Sequence, residues 1–179
     1  MATILFPTDF SEAANRAFIY ALKLADKMDA RIVTLHAFDR PDISSLPHVP
    51  RALEEFHRNL DLEEFENYRS VVPALRKIQE DEGLTQVPVV HTIIEGDTKE
   101  VILKQAEVEE ADLIVMGTTG ARGLKKVLLG SVAGEILENA PCPVLAVPRE
   151  AVFDGEINTI AFTTSFAQEE IRGLNLLQD

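Results

Sequence analysis

The sequence predicts an α/β domain: an open, parallel, five-stranded sheet with helices on both faces. Three observations carry this expectation. Short apolar or β-branched runs alternate with stretches of helical periodicity, the pattern of strand–helix–strand crossovers of one hand. The run from Ala111 to Met116 is almost wholly apolar, as strands buried on both faces of a parallel sheet are. The chain has 179 residues, 46% hydrophobic and 26% charged, which suits one soluble domain of roughly 100–200 residues with an appendage.

The first strand runs from Ala2 to Thr8 and ends at Pro7-Thr8-Asp9. Ala14, Ala17, Phe18, Ala21, Leu22, Ala25 and Met28 then recur at helical spacing and predict an amphipathic helix. Arg31 to Phe38 alternates with β-branched residues and is the second strand. From Asp39 to Pro50 the chain holds Pro41, Pro47, Pro50, Ser44 and Ser45, a loop composition. A charged helical stretch from Arg51 to Glu82 follows, with Leu53, Phe56, Leu60, Phe65, Tyr68, Val72 and Leu75 facing inward. Pro73 is expected to kink or divide it. Val87 to Ile94 is the third strand. Asp97, three residues before Glu100, caps a helix that places Val101, Ile102 and Ala106 on one face. Ala111 to Met116 is the fourth strand, a helix opens at Ser131, and Pro143 to Val147 is the fifth strand. In such sheets ligands gather at the carboxyl ends of the strands, so sites are sought just after them.

Charge narrows the partners. A net charge of −13 repels the phosphate backbone of nucleic acid, so no nucleic-acid partner is expected. The same field opposes an anionic nucleotide unless backbone N–H groups and a few local cations build its site. No apolar run approaches the roughly 18 residues that cross a bilayer, and Met1-Ala2-Thr3-Ile4-Leu5-Phe6 lacks a cationic leader, so the expectation is a cytoplasmic protein without membrane contact. The single cysteine, Cys142 between Pro141 and Pro143, excludes an internal disulfide and a multi-cysteine zinc site and reads as a small buried apolar residue. His36, at the end of an apolar strand, reads as a hydrogen-bonded core histidine, and His48, His57 and His91 are scattered, so no resident metal is expected.

The stretch that carries chemistry is Gly117-Thr118-Thr119-Gly120-Ala121-Arg122-Gly123-Leu124-Lys125-Lys126-Val127-Leu128-Leu129-Gly130-Ser131. It leaves an apolar strand and opens a helix. Glycines let a ligand approach the backbone, the helix N–H groups and dipole favour an anion, and Arg122, Lys125 and Lys126 add positive charge. Neither Gly-x4-Gly-Lys-Ser/Thr nor a helix-opening Gly-x-Gly-x-x-Gly occurs.

The spacing Gly117-x2-Gly120-x9-Gly130-Ser131 instead resembles that of the ATP-binding universal stress proteins. Ile4-Leu5-Phe6-Pro7-Thr8-Asp9-Phe10-Ser11 is similar to the family's first strand and turn, Leu35-His36-Ala37 to the end of its second strand, and Asp112-Leu113-Ile114-Val115-Met116-Gly117 to its fourth. Leu129-Gly130-Ser131-Val132-Ala133 and Pro141-Cys142-Pro143-Val144-Leu145-Ala146-Val147-Pro148 match the closing helix and last strand, so the resemblance covers residues 2–149 in order.

The resemblance implies a Rossmann-like, adenine nucleotide alpha-hydrolase-like domain over residues 1–150. It also implies ATP, brought in with Mg²⁺. Pro7, Thr8 and Asp9 would border the adenosine, Ala37 and Met116 would touch the adenine, and Gly117, Gly120, Gly130, Ser131 and Val132 would surround the phosphates. Ala37 stands where a larger Val is common, a loosening of about 1 kcal/mol by large-to-small analogy. Each position also has a structural reading: Asp9 caps the first helix, Ser131 caps the helix after the loop, and Gly117 serves a tight turn. The implied role is a nucleotide-responsive stress-response module with at most slow hydrolysis and no assigned catalytic residue, a homodimer through the last strand or a domain paired with a second copy. The alternatives are a nucleotide-free dimeric interaction module and a weak ATPase or autophosphorylating enzyme.

Residues 151–179 form the appendage. Thr159-Ile160-Ala161-Phe162-Thr163-Thr164-Ser165-Phe166 mirrors Thr3-Ile4-Leu5-Phe6-Pro7-Thr8-Asp9-Phe10 at a constant offset that also aligns Arg172 with Arg16. Residues 157–179 thus resemble the first strand and helix of a second copy, with Ser165 in place of Asp9; chance similarity of two strand–helix starts is the other reading. The tail is expected to pack onto another chain or to be mobile and cleaved near Asp154-Gly155.

Overall fold

The computed structural model of the chain describes residues 1–39, 50–118 and 130–161, with the backbone alone over 50–57. Its elements are β1 (Ala2–Pro7), α1 (Glu12–Met28), β2 (Ala30–Phe38), α2 (Pro50–Asp81), β3 (Val89–Glu95), α3 (Thr98–Val108), β4 (Leu113–Gly117), α4 (Ser131–Asn139) and β5 (Val144–Val147). The five strands form one sheet in the order β3-β2-β1-β4-β5, every pairing parallel. This is the α/β architecture the alternation predicts.

β1 lies at the centre and is buried from Thr3 to Pro7, because both faces of the sheet are covered. Ile4 and Phe6 face a core shared with Phe18 and Leu22 of α1 and Leu75 of α2. Leu5 faces the opposite core, with Ile102 and Ala106 of α3 and Ala133 and Ile136 of α4. Asp112 sets the register of β1 against β4: its carboxylate accepts from Thr3 N at 2.8 Å and its own N–H donates to Thr3 O at 2.9 Å.

The apolar stripe of α1 is mostly alanine, which lets the helix lie close to the sheet, and Phe18 fills the remaining space against Phe6 at a centroid distance of 5.2 Å. Met28, expected inward, is 42% exposed, since the helix ends there and Asp29 turns the chain in the left-handed region. α2 runs unbroken through Pro73, so the expected division does not occur. Proline removes one N–H from the ladder, and here it sits on the exposed side of the helix. Tyr68 and Leu75 face inward as expected, Leu60 and Val72 are half-buried, and Phe65 is 51% exposed. Leu53 and Phe56 lie outside the described side chains. Asp97 caps α3 as predicted, accepting from Lys99 N and Glu100 N at 3.0 and 3.1 Å. Val87 precedes β3 and donates to Leu84 O in the turn that leads into it.

After β5 the chain folds back along α1. Arg149 pairs with Glu12 at 2.6 Å, Phe153 stacks on Tyr20 at 4.7 Å, Lys23 donates to the Phe153 carbonyl at 2.8 Å, and Lys27 pairs with Glu156 at 2.9 Å. The segment from Arg149 to Glu156 therefore docks on the chain's own first helix. Residues 162–179, including Ser165 and Arg172, lie outside the described residues. Among the described residues, no helix is long and apolar enough to cross a membrane.

Two stability measurements follow. Phe18→Ala removes a fully buried ring from the core beneath α1, and urea denaturation is expected to show a loss of about 3–5 kcal/mol with an unchanged m-value. His91, half-buried with Nδ1 2.9 Å from Thr34 Oγ1, has its pKa held below the usual imidazole value of 6.5, by burial first and the Arg76 charge second. The folded-state value lies below the unfolded one, so its contribution is complete above pH 6.5 and is lost as pH falls through the folded value. Denaturation across pH 5–8 is expected to show a shallower acid-side loss in His91→Gln than in the unaltered chain.

Candidate functional site

The connection from β1 goes to β2 on one side, while β4 lies on the other, so the sheet has its topological switch between β1 and β4. The carboxyl ends of these two strands bound a crevice, the usual ligand position in open α/β sheets. The turn after β1, the end of β4 and the start of α4 build its rim.

The turn is wound by its own polar side chains. Thr8 Oγ1 accepts from Phe10 N at 3.0 Å, Asp9 Oδ1 from Ser11 N at 3.0 Å, and Ser11 Oγ from Ala14 N at 3.2 Å. Thr8 is buried and its N–H donates to Leu35 O at 2.9 Å, an extension of the β1–β2 ladder past Pro7. Ser11, rather than Asp9, is the N-cap of α1. Asp9 is exposed and acts one step earlier, by fixing the N–H of the capping residue itself. Phe10 sits at φ 57°, a left-handed conformation that costs a non-glycine residue about 1–3 kcal/mol. Beyond the turn, the carboxyl of Glu12 is held below the usual range by its hydrogen bond to Arg149, then by Arg16.

At the end of β4, Met116 is buried and Gly117 pairs with Val147 of β5. A Cβ on Gly117 would meet the Ala13 backbone at 3.4 Å, so β4 ends against the first turn of α1. Gly117 does not have a positive φ, and the tight-turn reading is therefore not what its glycine serves. Ala37, half-buried on β2, pairs with Ile94 of β3.

The two ends of the glycine-rich segment are clasped together. Thr118 N donates to Val147 O at 3.0 Å, and Gly130 N donates to Thr118 O at 2.8 Å. Gly130 occupies the N-cap of α4 with extended geometry and no side-chain cap bond. Ser131 is the first helical residue and is exposed, so the expectation that it caps the helix is corrected. The N-cap of α4 has no side chain, so among the described residues the helix begins with main-chain donors left uncapped, the arrangement that receives anions at helix starts. Val132 is half-buried and packs against the core beneath α3 and α4. A Cβ on Gly130 would stand 3.1 Å from Thr118 O, so the clasp would have to give by a few tenths of an ångström. Gly120 and the cations Arg122, Lys125 and Lys126 lie outside the described residues.

Pro7, Thr8, Asp9, Met116, Gly117, Gly130, Ser131 and Val132 thus gather at one end of the sheet, with Ala37 at the same end of the adjoining strand. Sequence reasoning missed Ser11, Phe10 and Thr118. Ser11 had a signal in the spacing Asp-x-Ser before a helical run, whereas a phenylalanine in the left-handed region has none. Cys142 is half-buried against the α3/α4 core, and burial pushes its thiol up, away from nucleophilic use.

The profile of the universal stress protein family matches residues 1–148. The chain is 36% identical over 147 residues to universal stress protein MJ0531 of Methanocaldococcus jannaschii, covering 82% of this chain and 81% of that one. Protein MJ0577 of the same organism is 33% identical over 156 residues, and a structure determined for it superposes with a TM-score of 0.68 and 31% identity over 84% of this chain and 98% of that one. A universal stress protein family protein from Arabidopsis thaliana, with AMP bound, shares the fold at a TM-score of 0.53 and 21% identity over 84% of this chain and 94% of that one. The chain therefore belongs to the universal stress protein family.

Proposed function

We propose that the chain binds ATP, with Mg²⁺, in the crevice between β1 and β4 and acts as a nucleotide-responsive stress-response protein. The observation that carries this reading is the clasp of Gly130 on Thr118. It ties both ends of the glycine-rich segment to the sheet and leaves the start of α4 capped by a residue with no side chain. A phosphate group fits such a helix start, because its uncapped N–H groups offer donors. The AMP carried by the plant neighbour supports an adenine nucleotide in this fold.

In this reading Ala37 and Met116 contact the adenine, Pro7, Thr8 and Asp9 border the adenosine, and Gly117, Gly120, Gly130, Ser131 and Val132 surround the phosphates. Mg²⁺ offsets the phosphate charge, which matters in a chain of net charge −13. Hydrolysis is at most slow, since the turn residues are engaged in holding the backbone rather than in orienting a water. Nucleotide occupancy would shift the loop between arrangements by its difference in affinity for them, a coupling of about 1–3 kcal/mol. The family domain spans residues 1–150, and β5, a sheet edge, is the surface through which a second copy pairs.

Calorimetric titration of nucleotide-stripped protein with Mg-ATP, AMP and cAMP is expected to show binding to ATP that Gly130→Val abolishes. No heat and no thermal shift with any of the three would leave the nucleotide-free interaction module as the better account. Ala37→Val restores the larger contact at the adenine and is expected to tighten Mg-ATP binding about fivefold, the equivalent of about 1 kcal/mol.

A further inference from the structure

His36 stands at the carboxyl end of β2, one residue before the position assigned to adenine contact, and its ring turns to the opposite face of the sheet, toward α2. Its Nδ1 lies 2.9 Å from the Thr8 carbonyl oxygen. A carbonyl only accepts, so Nδ1 carries a proton and donates it to Thr8 O. Thr8 is thereby held to β2 at both of its main-chain groups: its N–H by Leu35 O and its C=O by His36. Because the peptide is planar and trans, fixing the Thr8 carbonyl toward His36 also directs the Asp9 N–H the other way, away from α2.

The imidazole has a second contact. Its centroid is 5.2 Å from the Phe10 ring and 6.1 Å from the Tyr68 ring, and Phe10 and Tyr68 meet edge to face at 5.7 Å. Phe10 is the strained residue of the turn, and these rings pack against it from β2 and α2. The Tyr68 hydroxyl is buried near Thr34, and burial pushes its pKa above the usual phenol value.

We infer that His36 is a positioning residue of the nucleotide site: its Nδ1–H fixes the Thr8–Asp9 peptide that borders the adenosine. The inference rests on the reading given under Proposed function. Its content is the donated hydrogen bond, which is separable from the ring. Phenylalanine keeps a ring and lacks the donor, alanine lacks both, and asparagine lacks the ring but places an amide N–H where Nδ1 stands.

The test is calorimetric titration of nucleotide-stripped full-length chains with Mg-ATP, with a thermal melt of each to establish cooperative folding. His36→Phe and His36→Ala are expected to bind about tenfold more weakly than the unaltered chain, and His36→Asn within about threefold of it, whatever the order of their melting temperatures. A merely structural role would move affinity in step with melting temperature and would give no rescue by asparagine. If His36→Phe does not fold, His36→Ala carries the donor deletion. Unchanged affinity in the donor-deleted variants, or His36→Asn as weak as they are, overturns the inference while ATP binding stands. Absence of binding by the unaltered chain overturns both.

Discussion

The central strand of a parallel sheet has a neighbour for every main-chain group until the ladder stops, and what happens at that point governs the rest of this molecule. β1 is buried on both faces, so its final peptides cannot turn to water for partners. Thr8 resolves the difficulty by borrowing from β2, through Leu35 and His36, and Phe10, Ser11 and Ala14 then donate their N–H groups to side chains of the turn. The result is a stiff corner at the spot where the sheet changes direction. Gly117 can then end β4 against α1 without a side chain in between.

The opposite wall of the crevice is built by a different economy. The turn after β1 is dense with polar side chains that satisfy its own backbone, whereas among the described residues the start of α4 has no side-chain cap. An acidic protein that offered an anion only side-chain cations would work against its own net charge. Main-chain donors escape that conflict, because they carry local positive potential without altering the charge of the chain.

The sheet was legible in the sequence because its signals are periodic. The all-apolar 111–116 run, the alanine stripe of α1 and the Asp97 cap each encode their structure within a few residues, and strand boundaries moved by only one or two positions. The long helix was legible in extent but not in its continuity: Pro73 marks a break in the local sequence, yet the helix runs through it. At the site, glycine spacing located the clasp, but the identity of each cap was misassigned. Asp9, Ser11 and Ser131 all have capping chemistry, and only the path of the backbone decides which oxygen meets which N–H. The left-handed Phe10 was illegible because the rings it packs against, His36 and Tyr68, are distant in sequence.

The strap from Arg149 to Glu156 also determines traffic around the molecule. It begins beside the first turn of α1 and ends beside the last, so it carries the chain from the edge where strands finish back to the edge where they start. The strap therefore ends at the opposite end of the sheet from the crevice between β1 and β4. The strap thus spans the length of α1 and leaves the strand ends that bound the crevice uncovered by its own residues.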